Sequence, residues 1–297
     1  MTNDLILNRF FTRSYFKDLV EGKQRSDLFE LAAQNCGVQY YGRTNYKVIE
    51  GIYQYLEKNY RNEFFYKNTL LNKLVFEKYK PTTTSALTEI TIGKAKADFI
   101  LINGKAVVYE IKSELDNLDR LSKQIEEYYK AFRYVTVATY LSNYDAVLKI
   151  INNPCVGICI VSASGNIDHK HGRKPQEYCD GLDYHAIFEI LRKKEFEDII
   201  IKKVGKLPEC APVDYYSECF SIIKAKISIS EFQNEMEKRI KCRSQVDVKR
   251  IYQIPYEIKH LIYYADYREK DYQKMKAFLD ATAEHISKEE NKCTFPF

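Results

Sequence analysis

The sequence has no tryptophan and few glycines and prolines, 11 and 7 in 297 residues. It also lacks an apolar run of the length that crosses a membrane. Charged residues interrupt its first twenty positions, where a signal peptide would be apolar. The eight cysteines are scattered and include no Cys-x-x-Cys pair, a pattern typical of reduced thiols. These absences predict a cytoplasmic protein that has no membrane partner.

Nucleotide-binding motifs are absent as well. The sequence contains no glycine-rich phosphate loop of P-loop type, so we predict no nucleotide cofactor. The 46 lysines and arginines exceed the 41 aspartates and glutamates by only five charges. This balance is compatible with a polyanionic partner but is too small to demonstrate one.

Hydrophobic periodicity predicts three regions along the chain. Residues 1–80 form a helical N-terminal layer, residues 81–167 an α/β core and residues 168–297 a mainly helical C-terminal region. Within the core, strand-like runs alternate with helical stripes, which is typical of parallel strands joined by crossover helices. The core strands are predicted at 88–92, 98–102, 105–112, 134–140 and 156–162, with helices from 113 and 143, and a basic loop at 168–175. We therefore predict an α/β fold, a mixed sheet with flanking helices and helical extensions.

The centre of this core is a predicted hairpin. Asn103-Gly104 separates two strand-like runs, and Asn-Gly in that position is a strong hairpin signal. Asp98 begins the first run, and Glu110 and Lys112 end the second. Because side chains two residues apart on a strand share a face, Glu110 and Lys112 point the same way.

The register of this hairpin decides whether Asp98 joins them. A strict two-residue turn would pair Asp98 with Tyr109 and turn it away from Glu110, since paired residues share a face. Joint use of the two carboxylates requires a three-residue Asn-Gly-Lys loop, or a bulge that moves the register by one. We predict that shift.

Such a group of residues suits phosphodiester hydrolysis, which needs a cation and an activated water. Mg²⁺ prefers oxygen ligands, and Asp98, Glu110 and the backbone carbonyl of Ile111 provide them. Mn²⁺ is an alternative ion. Lys112 would orient or deprotonate the attacking water and stabilise the transition state.

The same residues resemble the PD-(D/E)XK nuclease superfamily, with Asp98 and Glu110-Ile111-Lys112 at the positions of its motif. Glu89 matches an additional acidic ligand that many members carry on the preceding strand. Gln124 and Tyr128 resemble the Gln-x-x-x-Tyr element of RecB-like members, and their spacing places both on one helix face. Ala97 departs from the pattern, because proline is common there. Residues 88–132 are similar to one bacterial and phage family of uncharacterised proteins with a "sce"-type label, assigned to this superfamily.

The resemblance implies a restriction-endonuclease-like core and a Mg²⁺-dependent nuclease acting on DNA. It also implies a role in phage defence or mobile-element biology, and a homo-oligomer or a defence-system partner. Two alternatives stay open. One is a nucleic-acid- or protein-binding module that keeps the fold without useful turnover, and the other is an endoribonuclease.

Basic residues supply candidate contacts to the phosphate backbone. The candidates are Arg120, Lys123, Lys170, Arg173 and Lys174. For Arg120, a helix-surface salt bridge with Asp116 is the alternative. Glu89 has two interpretations, a metal ligand or a surface strand residue, and Glu77 is a weaker substitute for it. The lysines and arginines of the C-terminal helices either track a nucleic acid or form an ordinary solvated surface.

Overall fold

The computed structural model describes residues 3–23, 27–244 and 246–282. They divide into two compact units, one formed by the described residues of 1–60 and 265–297 and the other by those of 61–264. The described helices are α1 (Asn3–Phe10), α2 (Arg13–Val20), α3 (Asp27–Asn35), α4 (Asn45–Asn59), α5 (Glu63–Leu70), α6 (Leu121–Tyr129), α7 (Tyr144–Ile150), α8 (Tyr184–Ile190), α9 (Lys193–Val204), α10 (Tyr215–Lys226), α11 (Ile229–Lys241), α12 (Val248–Ile251), α13 (Lys259–Tyr263) and α14 (Glu269–Asp280). The described strands are β1 (Ser85–Leu87), β2 (Ile90–Ile92), β3 (Ala95–Ala97), β4 (Phe99–Asn103), β5 (Lys105–Ile111), β6 (Tyr134–Thr139), β7 (Gly157–Val161) and β8 (Ile167–Arg173).

The first unit is helical and contains α1 to α4 together with α14. Aromatic side chains fill its interior. The rings of Phe10 and Phe29 lie 5.3 Å apart, and Phe278 from α14 contacts Phe29 and Phe16, each at 6.2 Å. In the described part of this unit, the packing of these large apolar side chains is the main stabilising contribution.

The second unit is built on a six-stranded sheet with the order β1-β4-β5-β6-β7-β8. The central pairs β5–β6 and β6–β7 are parallel and cross over through α6 and α7, as predicted. The pairs β1–β4, β4–β5 and β7–β8 are antiparallel. A separate hairpin joins β2 to β3. The prediction of an α/β fold with a mixed sheet and flanking helices is confirmed.

The predicted boundaries at 80 and 167 differ from this division. Helices beyond residue 168 bury apolar side chains in the same core as the sheet, among them Phe188, Ile199 and Phe232. Their amphipathic faces have no core of their own, so they pack on the sheet and belong to its unit. The helix α5 is likewise part of residues 61–264 rather than of the N-terminal layer.

Several local predictions are wrong. Residues 168–175 do not form a loop, because 167–173 make the edge strand β8, whose exposed polar side chains hide the usual apolar alternation. Glu89 is not on a strand but in the connection between β1 and β2. The crossover helix α6 begins at Leu121 rather than near Ser113, because Asp116 accepts hydrogen bonds from the Ser113 backbone N–H (2.8 Å) and hydroxyl (2.6 Å) and holds a turn.

The predicted single helix over 62–79 changes character along its length. After α5 the backbone continues as a π-helical segment, Leu71–Lys78. The side-chain amide of Asn72 donates to the carbonyl of Asn68 at 2.9 Å, the acceptor that an α-helix would give to the backbone N–H of Asn72. A side chain inserted into the helical hydrogen-bond ladder is an established cause of such irregularity.

Candidate functional site

The hairpin β4–β5 has the shifted register that the sequence argument requires. Asn103 pairs with Lys105 and Phe99 with Tyr109, so Gly104 alone forms the tip of the turn. Gly104 has φ 70°, a conformation that side chains disfavour. Continuing the ladder by one pair sets Asp98 opposite Glu110, which places both carboxylates on one face. The predicted shift by one residue is confirmed.

Glu110 is the most buried acid of this group, with 1% of its surface exposed. Its Oε1 accepts a hydrogen bond from Lys112 Nζ at 2.8 Å. Its Oε2 lies 2.5 Å from the Tyr128 hydroxyl, which also lies 2.9 Å from the Lys96 carbonyl and donates to one of the two at a time. Burial and the adjacent Glu110 carboxylate raise the pKa of the Tyr128 hydroxyl, so that it stays a donor.

Lys112 lies directly after β5 and is almost fully buried. Its backbone N–H donates to the Ala138 carbonyl at 2.9 Å, which continues the pairing with β6 and fixes the position of the side chain. Besides Glu110, its Nζ donates to Gln124 Oε1 at 2.9 Å. One turn of α6 separates Gln124 from Tyr128. Gln124 contacts Lys112 and Tyr128 contacts Glu110, so each member of the ion pair has a partner on this helix.

Asp98 accepts a hydrogen bond from the backbone N–H of Ile111 at 2.9 Å through its Oδ2. Burial, followed by repulsion from Glu110, raises the pKa of Asp98 from 3.8 to about 8. Two carboxyl groups that share a partly buried site disfavour simultaneous ionisation unless a cation lies nearby. Ile111 contacts Asp98 through its backbone N–H. The metal-binding role of the Ile111 carbonyl stays a prediction.

Glu89 has φ 60°, which is unusual for a residue with a side chain. Its carboxylate forms ion pairs with Lys67 and Lys96. Burial alone would raise the pKa of Glu89, but the two ammonium groups outweigh it and lower that pKa below its usual range. The Thr88 hydroxyl donates to the Asp98 carbonyl at 2.7 Å and ties this connection to the start of β4.

The structure adds Glu63 and Lys67 to the site, and sequence reasoning missed both. One carboxylate oxygen from each of Glu63, Glu89 and Asp98 lies within 4.8 Å of the others. Lys67 Nζ is 2.5 Å from Glu63 Oε1. The available signal was the capped start of α5, where Asn62 accepts from the Phe65 N–H at 3.2 Å, followed by a Glu-x-x-x-Lys spacing. Glu77, the substitute considered from the sequence, instead pairs with Lys73 at 2.9 Å.

The predicted phosphate-contacting residues fall on two surfaces. Arg120 precedes α6 and Lys123 lies on it, and both are exposed. The residues Lys170, Arg173 and Lys174 lie on or just after β8, which β6 and β7 separate from β5. No Asp116–Arg120 ion pair occurs within the described ranges. Arg173 donates through Nε to the Val156 carbonyl at 2.9 Å, so part of its guanidinium is used within the fold.

Several basic side chains of the C-terminal helices pair with acids of the same helix or of a neighbouring one. Lys238 lies 2.9 Å from Glu235, and Arg239 lies 3.1 Å from Asp198. Arg243 lies 2.5 Å from Glu195. For these residues the structure favours a surface stabilised by salt bridges over a path for nucleic acid.

Two sets of acidic residues in this region provide the oxygen ligands that hard divalent cations prefer. The first is the Asp98–Glu110 pair, with the Ile111 backbone beside it. The second is the Glu63–Glu89–Asp98 cluster. Asp98 belongs to both. Each has a buried lysine, Lys112 in the first and Lys67 in the second. In the first, Tyr128 also contacts Glu110.

Within the described residues, none of the helices combines the length and the apolar character needed to cross a membrane.

Comparison with known proteins gives one family. The family model described as Bacteriophage P4 protein cII matches residues 56–263, more than half of the chain. A curated relative, Protein cII of Enterobacteria phage P4, is 22% identical over 148 residues, which are 50% of this chain and 54% of the relative. The chain thus spans about half the length of that relative. No solved structure matches. All the candidate site residues from Glu63 to Tyr128 lie inside the matched range, and the chain belongs to the Bacteriophage P4 protein cII family.

Proposed function

We propose that this protein is a divalent-metal-dependent nuclease of the PD-(D/E)XK type that hydrolyses phosphodiester bonds in DNA. The observation that carries the proposal is the register of β4 and β5, which sets Asp98 opposite Glu110 and brings Lys112 to the same face. The mixed sheet around this hairpin supports the resemblance to a restriction-endonuclease-like core. The phage origin of the curated relative supports a role in mobile-element biology or phage defence.

The residues fit a bound Mg²⁺ or Mn²⁺. Asp98 and Glu110 are two carboxylates close enough for Glu110 to raise the pKa of Asp98, which is the electrostatic condition that a cation relieves. Asp98, Glu110 and the Ile111 carbonyl would hold the ion through oxygen atoms. When bound, the ion supplies charge neutralisation and a lowered pKa for a water molecule.

The protein side chains then have separate tasks. Lys112, adjacent to Glu110, would orient the attacking water and stabilise the negative charge that develops on the phosphate. Gln124 accepts from Lys112 and fixes the direction of its ammonium group. Tyr128 donates to Glu110 and holds that carboxylate in place. Gln124 and Tyr128 are therefore positioning residues, since they act through Lys112 and Glu110.

A nucleic-acid partner would meet basic side chains outside this group. Arg120 precedes α6 and Lys123 lies on it, as Gln124 does, so these two are the nearer candidates along the chain. Lys170 and Arg173 on β8, and Lys174 just after it, offer a second surface. Contacts of this kind give binding that weakens steeply as the salt concentration rises.

The experiment is a cleavage panel with linear, circular and single-stranded DNA and with RNA, in Mg²⁺ or in EDTA. We expect DNA cleavage that requires Mg²⁺ and is lost in Asp98→Asn and in Lys112→Ala. Glu77→Gln is the matched control, because its carboxylate pairs with Lys73 outside the site. Cleavage that persists in both site variants contradicts the proposal, and cleavage of RNA alone identifies an endoribonuclease.

One observation favours a second candidate, a nucleic-acid- or protein-binding module without useful turnover. Both oxygens of Glu110 are engaged within the fold, one by Lys112 and one by Tyr128. In the binding module both contacts persist and Glu110 binds no ion. Thermal unfolding with increasing Mg²⁺ or Mn²⁺ distinguishes the two, since a ligand that binds only the folded state raises the unfolding temperature. The nuclease shows a rise, and the binding module shows none.

A further inference from the structure

We propose that Lys67 is a built-in cation of the Glu63–Glu89–Asp98 cluster, and that its ammonium group takes the place of a divalent ion there. The inference deepens the proposed function. It rests on that function for one consequence, namely that the site would bind a single ion, at Asp98 and Glu110. Glu89 would then be a partner of Lys67 and not the third metal ligand that the sequence suggests.

The position of Lys67 is the first support. It projects from α5, which packs against β5, and only 8% of its surface is exposed. A buried ammonium is costly unless it is paired and hydrogen-bonded. Lys67 Nζ contacts Glu63 Oε1 at 2.5 Å and forms a second ion pair with Glu89 Oε1. The pairing requirement of this lysine therefore accounts for two of the three acids in the cluster.

The second support is that ammonium groups of the chain contact one carboxylate oxygen of Glu63 and both of Glu89, whereas at Glu110 an ammonium contacts one oxygen and a neutral hydroxyl the other. Mg²⁺ binds carboxylate oxygens at about 2.0–2.1 Å and demands a regular octahedral arrangement. An ion bound to Glu63 Oε1 or Glu89 Oε1 would lie within a few ångströms of the Lys67 ammonium, and the two positive charges would repel each other strongly in a partly buried site. Lys96 adds a further ammonium on Glu89 Oε2. Three carboxyl groups thus already face two cations of the chain.

The third support is the backbone of Glu89. Its φ of 60° is unfavourable for a residue with a side chain and persists only where the surroundings hold it. Lys67 and Lys96 bind the Glu89 carboxylate from two elements, α5 and β3. The strain at Glu89 is therefore compensated by pairing with lysines, which needs no metal ion.

The test is the number of Mn²⁺ ions bound by the wild-type protein and by Lys67→Met, measured by isothermal titration and by the free-Mn²⁺ signal in electron paramagnetic resonance. Methionine keeps much of the volume of lysine and removes the charge. We expect Lys67→Met to bind one ion more than the wild type, at the vacated carboxylates. Lys67→Arg, which keeps a cation, should bind the wild-type number. An unchanged count in a folded Lys67→Met protein overturns the proposal.

The count also separates this proposal from the proposed function. A change from one ion to two supports both. A change from none to one keeps the role of Lys67 and contradicts metal binding at Asp98 and Glu110. Two ions in the wild type contradict the role of Lys67.

A second pair of variants covers the case in which Lys67→Met does not fold. Glu63→Gln and Glu89→Gln each remove one partner of Lys67 but leave the lysine and the Asp98–Glu110 pair intact. The Mn²⁺ count should then equal that of the wild type. A loss of one ion in either variant shows that these carboxylates bind metal and overturns the proposal.

Discussion

Lys112 and Lys67 are two buried lysines that lie between oxygen acceptors in the same unit, but their partners differ in exposure. Lys112 faces Glu110, which is 1% exposed and bonded to Tyr128. Lys67 faces Glu63 and Glu89, whose side chains are 54% and 34% exposed. Water can solvate the acids around Lys67 if the lysine is lost, but it cannot reach Glu110 in the same way. The energetic cost of losing a lysine is therefore set by the burial of its partner.

The largest effect is expected for Lys112→Met in the absence of metal. The substitution leaves Glu110 charged, buried and without its cation, so the free energy of unfolding should fall by about 3–5 kcal/mol. Mg²⁺ should restore part of this loss, because it supplies positive charge to the same carboxylate. Urea denaturation of the wild type and the variant, with and without Mg²⁺, measures both effects. An unchanged midpoint would contradict the strong coupling of Glu110 to Lys112.

The pH dependence of stability should be of comparable size. The pKa of Asp98 is about 8 in the folded protein, against 3.8 ordinarily, so the folded state keeps a proton that the unfolded state releases. This contribution to stability is complete below about pH 4 and declines as the pH rises towards 8, by up to about 1.4 kcal/mol per pH unit.

Asp98→Asn should remove most of that slope, and saturating Mg²⁺ should reduce it in the wild type, since a cation favours the ionised carboxyl group. Denaturant unfolding at four pH values between 4.5 and 7.5 gives the slopes. Parallel curves for the wild type and Asp98→Asn would show that another group is responsible.

Tyr128→Phe should have an intermediate effect. It removes a hydrogen bond to a charged group and keeps the ring, so the expected loss is about 1.5–3 kcal/mol in the free energy of unfolding. Tyr129→Phe is the matched control. The Tyr129 hydroxyl is buried and has no hydrogen-bond partner among the described residues, so its removal should leave the free energy of unfolding unchanged or raise it, by up to about 1–3 kcal/mol. Equal effects of the two variants would refute a specific role for the Tyr128–Glu110 contact.

Lys67→Met should have the smallest effect on stability, about 1 kcal/mol, since water solvates its half-exposed partners. Thermal unfolding in EDTA compares it with Lys112→Met under the same conditions. A loss as large as that of Lys112→Met would show that the burial of the partner does not determine the cost.

The centre of the site was accessible to sequence reasoning because its signals are local. Asn103-Gly104 marks the hairpin, and spacings of two on a strand and four on a helix place Lys112 near Glu110 and Gln124 near Tyr128. Even the shift of register followed from requiring Asp98 and Glu110 to share a face. Each of these predictions needs only the geometry of one element or of two adjacent ones.

Features that depend on distant contacts were missed. Glu63 and Lys67 join the site because α5 packs against β5, and no short-range pattern reveals that contact. The strand β8 has exposed polar residues and gains its strand character by pairing with β7. Glu89 lies in a connection whose unusual φ is held by lysines from α5 and β3. In each case tertiary structure overrides the local preference.

The most direct measurement of the central claim is the single-turnover rate of DNA cleavage at saturating Mg²⁺ for the wild type, Lys112→Ala and Glu77→Gln. Loss of a positioned catalytic group should lower the rate by about 10²–10⁴-fold in Lys112→Ala. Glu77→Gln should cleave within about twofold of the wild type, since surface changes away from a site have small effects. A Lys112→Ala protein that is folded and cleaves at the wild-type rate would contradict the claim.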